Sequence, residues 1–219
     1  MGFRGLENEE NGMEMAVAVA GFAAGLWFGK TQLIQWKMWS RRMAWILAGG
    51  SAVVFLSGGF LMIRYEYHFL KMVRYWILMY GLLLLALVDS KEKRIPNRAL
   101  AGMCGIRTIL LAGECICFPE LWAEIVLSSM AGILGGSFLF WAAGMAARKG
   151  IGMGDVKMIG MMGFYLGFSV LMSSLIVTMT LTLVGGIAVL LIQKASLRSE
   201  LAFAPFAAAG TILTILMGF

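Results

Sequence analysis

Histidine occurs once in this 219-residue chain, at His68, proline and cysteine three times each, and charged side chains make up only 14%. Each shortage excludes something. One histidine and no CxxC pair leave no zinc centre to build, so neither a metal nor another cofactor is expected. The thiols Cys104, Cys115 and Cys117 fall in or beside one apolar stretch, where ordinary buried thiols are expected. Three prolines and no charge-rich block argue against a disordered tail or linker. Low charge, beside 60% apolar residues and a mean hydropathy of +0.84, excludes a soluble globule. Soluble domains carry about 25% charged residues, and a chain this size could not hide so much apolar surface from water. The net charge of +6 is spread in small groups between apolar runs. That is a topological pattern rather than a nucleic-acid footprint, so no nucleic-acid partner is expected.

What is there is apolar sequence in lengths that fit a bilayer. Eight segments stand out, at about 13–29, 43–63, 72–88, 98–112, 121–147, 156–168, 170–192 and 202–218. At about 20 residues per spanning helix, eight helices use about 160 residues and leave only short loops. The sequence therefore predicts an all-α polytopic bundle in the lipid bilayer, a single membrane domain over 1–219. The acidic start, with Glu7, Glu9, Glu10 and Glu14, is unlike a cleavable signal peptide and reads as leading into a retained first span. Segment six is short and abuts segment seven at Gly167-Phe168-Ser169, so seven spans with one re-entrant piece is the alternative. Gly132, Gly135, Gly136, Gly185 and Gly186 suit close helix approach in lipid, and the 18 methionines read as adaptable fillers. Loops 30–42, 89–98, 148–157 and 193–200 together hold 13 of the 18 basic residues, which places them in the cytoplasm and both termini outside. The weak point is the outer segment 64–74, with Arg64, Lys71 and Arg74. Arg107, a few residues from an outer helix end, is expected to snorkel to the headgroups, and His68 to be an ordinary loop residue.

Two of the few acids stand at span ends. Asp89 closes the run that ends Ala86-Leu87-Val88, and Asp155 opens the run beginning Val156. Two spans lie between them, an even number, so both emerge at one membrane face; an odd number would set them a bilayer core, about 30 Å, apart. Two carboxylates held together share a proton, because like charges a few ångströms apart do not both ionise. One then serves as general base on a water while the protonated partner polarises a carbonyl. From position alone the pair reads more readily as helix-end charges, Asp155 favourably so at a helix N-terminus.

The flanking residues carry more. Asp155 lies in Gly150-Ile151-Gly152-Met153-Gly154-Asp155-Val156-Lys157, and Asp89 stands six residues ahead of Ile95-Pro96-Asn97. GxGD before an apolar helix, paired with Asp-x5-Ile-Pro-Asn at two-span separation, resembles the type IV prepilin peptidase family, whose archaeal relatives are the preflagellin peptidases. Ala202-Phe203-Ala204-Pro205-Phe206 is a partial third match, similar to that family's Pro-Phe-Gly-Pro-Phe. The resemblance covers 72–218 as the catalytic core. It implies an intramembrane aspartic endopeptidase with Asp89 and Asp155 as the catalytic pair. The implied substrates are pilin-like precursors with short basic leaders, cut at the cytoplasmic face of a prokaryotic inner membrane.

The residues round the pair read as supports or substrate contacts. Gly150, Gly152 and Gly154 permit positive φ and close approach, so that a substrate strand lies against the loop. Pro96 biases Ile95 to an extended conformation, and Asn97 is a good N-cap for the next helix. Lys157 is about 200° round a helix from Asp155 and is expected either to support the site or to reach lipid phosphate. Pro205 belongs to the third match. The larger bacterial members carry an insertion after the first span with paired CxxC motifs and an amino-methylating activity. Here that loop is about 30–42 without cysteine, so the chain looks like a short form. A presenilin-type protease shares GxGD, but Val88 precedes Asp89 where that class has tyrosine, and no Pro-Ala-Leu occurs near the C-terminus. The alternative from another class is a membrane transporter or scaffold with interfacial acids. A transporter more often buries its ionisable groups near the midplane. Oligomeric state stays open.

Overall fold

The computed structural model describes residues 64–65, 67–146, 152–193 and 202–218. The expected spans at 13–29 and 43–63, the loop 30–42, Gly150, and the loop cations Arg148, Lys149, Lys194 and Arg198 lie outside the described residues. Among the described residues there are six helices and no strand: α1 Phe69–Glu92, α2 Asn97–Cys117, α3 Trp122–Ala146, α4 Met153–Leu166, α5 Phe168–Gln193 and α6 Ala204–Leu216. Four of them, α1, α2, α3 and α5, are long and apolar enough to cross a membrane. The outward surface is itself apolar: Ile109, Ile116, Leu134, Phe138 and Leu183 are each 66–80% exposed. Such a surface is stable only against lipid, and the chain is a polytopic helical membrane bundle.

The chain divides into two units, one reaching Trp76 together with Gly218, the other spanning Ile77–Met217 with Phe219. In the first, Lys71 Nζ lies 3.7 Å from the centroid of the Tyr67 ring and the Arg74 guanidinium 5.2 Å from that of Tyr75. Two of the three cations that blur the charge rule in segment 64–74 are thus held over aromatic faces.

In the second unit α4 is the central helix, with ten of its fourteen residues buried. Antiparallel α3 packs on it through glycine. A Cβ on Gly132 would collide with the backbone of Gly163, and one on Gly163 with that of Gly132, so the two helices touch backbone to backbone. Gly167 alone joins α4 to α5, at φ +76°, with its N–H on Gly163 O at 2.9 Å. A side chain there would be strained and would meet Ser128 Oγ at 2.5 Å. Helix α5 then pairs with α6, where Ser174 and Thr211 hydroxyls hydrogen-bond at 2.9 Å.

One expectation is overturned in this unit. Arg107 does not snorkel: it is fully buried at the middle of α2, which extends to Cys117, well past the apolar run. Its guanidinium donates to Glu114 Oε2 at 3.0 Å, two turns along the same face, to Ser129 Oγ of α3 at 3.3 Å and to Phe164 O of α4 at 2.9 Å. The fork of five donors suits such a site, where every lost bond would leave a charge unpaired in lipid. Tyr165 adds a second tie by donating to Met103 O at 2.7 Å. The thiols are free but less buried than expected, with Cys104 and Cys115 half-buried and Cys117 exposed at the end of α2.

Candidate active site

The apolar pattern ends at Val88, yet α1 runs on through Ser90-Lys91-Glu92, residues that tolerate a helix, and stops at Lys93, whose φ is +49° and whose N–H bonds Asp89 O at 2.9 Å. Asp89 therefore lies within the last turn, facing inward, and is only 6% exposed. Asp155 stands in the first turn of α4, half-buried, just ahead of the apolar run from Val156. Burial, and then the charge of Asp89, push its carboxyl from the ordinary 3.8 up to about 6. The charge of Asp89 thus reaches Asp155 across 65 intervening residues and two helices.

The flanking segments meet round this pair. A Cβ on Gly154 would lie 3.3 Å from Cβ of Ile95, so the GxGD turn packs against the Ile95-Pro96-Asn97 turn. A Cβ on Gly152 would lie 3.3 Å from Asp155 Oδ2, so the missing side chain makes room for the carboxylate. Neither glycine adopts positive φ: Gly152 is extended, at φ −59° and ψ 135°, and Gly154 is already helical. The glycines serve close approach rather than an unusual loop conformation.

Asn97 is not the N-cap of α2. Pro96 holds that position, in extended backbone at ψ 119°, and Asn97 is the first helical residue. Pro96 at the cap pushes Asn97 one residue inward, where its Oδ1 accepts a hydrogen bond from Lys157 Nζ at 3.2 Å. Lys157 is thus tied to the other motif. It borders, with Asn97, Leu100, Cys104, Ile133 and Phe164, a pocket of about 420 Å³. That pocket lies on the face of α4 turned away from Asp155 and contains neither aspartate.

The third segment enters through its backbone. Phe203 caps α6 without a side-chain bond, Pro205 occupies the first turn without an N–H, and the N–H of Ala204 donates to Asp89 Oδ2 at 3.0 Å. The sequence pointed to Pro205 and passed over Ala204, because the contributing group is a main-chain N–H that no residue type reveals. Phe203 also meets Phe140 of α3 in a tilted ring contact, centroids 5.6 Å apart. Among the described residues no three His, Cys, Asp or Glu side chains group as metal ligands.

The sequence profile of the Type IV leader peptidase family matches residues 76–190, which includes both aspartates. The chain is 33% identical over 138 residues to a prepilin leader peptidase/N-methyltransferase of Bacillus subtilis, covering 63% of this chain and 52% of that protein. It is 25% identical over 145 residues to the protein of the same name from Stutzerimonas stutzeri, covering 65% and 48%. The chain thus spans about half the length of the curated relatives it matches. No solved structure matches it significantly. A matched profile over more than half of the residues, spanning both aspartates, places the chain in the type IV leader peptidase family.

Proposed function

We propose that this protein is an aspartic endopeptidase that removes the short basic leader from pilin-like precursors at the cytoplasmic face of a prokaryotic inner membrane. Asp89 and Asp155 are the catalytic pair. The ionised carboxylate takes a proton from water, the water oxygen attacks the scissile carbonyl carbon, and the protonated carboxyl gives its proton to the carbonyl oxygen. Collapse of the resulting diol returns one hydroxyl proton to the ionised carboxylate and breaks the C–N bond, and the leaving nitrogen takes the proton held by the other carboxyl. No covalent intermediate is needed.

The observation that carries this reading is the convergence of three separate segments on a buried Asp89 whose charge acts on Asp155. Gly152, Gly154, Pro96, Asn97, Lys157 and Pro205 belong to those segments as supports. The mid-helix Arg107–Glu114 pair does not favour a transporter: its guanidinium stays charged and is held by partners on three helices, which makes it a strut rather than a titrating carrier. The test is mass analysis of a precursor co-reconstituted with the protein. The precursor carries a basic leader, a glycine and an apolar helix of about 20 residues. Cleavage directly after the glycine supports the reading; an intact precursor, with the protein folded and inserted, refutes it.

A further inference from the structure

The two carboxylates of the pair are not in equivalent surroundings. Asp89 Oδ2 accepts the N–H of Ala204, a donor 115 residues away at the N-terminus of α6. That helix end has little else to offer. Pro205 lacks an N–H, and the N–H groups of Phe206 and Ala207 are already bonded to Phe203 O at 3.1 Å. Asp89 thus takes the one free donor of the first turn and stands at the positive end of the helix dipole. The carboxylate of Asp155 accepts no hydrogen bond from the described residues, although it too stands near a helix N-terminus.

Resting on the peptidase reading above, we propose that the Ala204 N–H fixes Asp89 as the ionised member of the pair. Asp89 is then the base that takes the proton from water, and Asp155 the acid that polarises the substrate carbonyl.

The Ala204 N–H donates more strongly to a carboxylate than to a neutral carboxyl, since charge-assisted bonds are about twice as strong as neutral ones. The upward displacement of Asp155 agrees with the same division. Among the described residues few other charges compete. Helices α5 and α6 carry no ionisable side chain, and on α4 Lys157 turns away to Asn97. Lys91, Glu92 and Lys93, at the end of α1, and Arg94 and Arg98, which flank the start of α2, are exposed. Ala204 is a positioning residue: it acts through Asp89 and only through its backbone.

The experiment reads protonation directly and does not depend on cleavage. Infrared titration of the carboxyl stretch in the reconstituted protein should show a group titrating near pH 6. In Asp89→Asn an elevated titration persists, at lower pH because the like charge is gone. In Asp155→Asn no elevated titration remains. An elevated titration that survives in Asp155→Asn, whether or not it is lost in Asp89→Asn, overturns the assignment. The second arm replaces the Ala204 N–H by an ester oxygen, incorporating lactic acid at position 204. The acid limb of kcat/KM should then rise by about one pH unit. A purely structural role would scale the profile without moving it, and an unmoved limb refutes the proposal. If the ester variant fails to fold, the infrared arm decides alone. If no precursor is cut by any form, the peptidase reading fails while the infrared result still settles which carboxylate holds the proton.

Discussion

Two charged clusters are buried among the described residues of this bundle, and they are built on opposite terms. Around Arg107, charges of opposite sign meet, the guanidinium donates to fixed partners, and three helices are tied at mid-depth. Around Asp89, charges of the same sign meet at one end of the bundle, and the second carboxylate is left in a state its surroundings resist. The first arrangement holds helices in register. The second, on the peptidase reading proposed above, raises the Asp155 carboxyl to a range where a proton can be exchanged. The comparison predicts that mutations in the two clusters will separate activity from stability.

The largest effect is expected at the aspartates. Asp89→Asn and Asp155→Asn should each lower precursor cleavage by at least about 10⁴-fold, measured as leader removed per unit time at matched protein level. Stability should move the other way in Asp155→Asn. The folded-state pKa of Asp155 lies above its ordinary 3.8, so folding is weakened as pH rises from about 4 through 6. Removing the charge should therefore stabilise the protein at neutral pH, by about 1 kcal/mol after discounting for the group's partial exposure. A clear loss of stability would break the contrast. For the wild type, kcat/KM should fall as pH rises past about 6, because the acid form of Asp155 is lost.

Arg107→Met comes next. It removes the cation paired with the buried Glu114 carboxylate and should destabilise by about 3–5 kcal/mol in a reversible denaturation assay. The double variant Arg107→Met with Glu114→Leu removes both charges and should recover most of that loss. A double variant as unstable as the single would mean that the pair is not the unit drawn here. Gly163→Val should destabilise by about 1–3 kcal/mol, since α3 and α4 must part to admit the side chain. Lys157→Met should be the mildest, lowering cleavage only several-fold through loss of one exposed hydrogen bond to Asn97. A loss equal to that of the aspartates would move Lys157 into the reacting pair.

The same contrast marks what could be read from the residues alone. Apolar run lengths revealed the helical membrane bundle, and two intervening spans with the GxGD and Ile-Pro-Asn segments identified the family. These are local patterns, visible along the chain. Arg107 was misread because its partners lie 7, 22 and 57 residues away and one of them is a main-chain carbonyl. Ala204 was passed over for the same physical reason, since any residue but proline supplies the same N–H. Asn97 was misplaced by one position, a shift set by Pro96 occupying the cap. The glycines of the GxGD turn were expected to relax the backbone, whereas Gly154 makes room for Ile95, a contact that only the packed structure reveals.

The most direct test of the central claim is a double-mutant cycle on cleavage of a co-reconstituted precursor. Asp89→Asn, Asp155→Asn and the double variant are compared with wild type, all confirmed folded and inserted. If the two carboxylates act as one unit, each single variant loses essentially all activity and the double variant is no worse than either. Normal processing by a well-folded Asp155→Asn protein, or losses that simply multiply in the double variant, would contradict it.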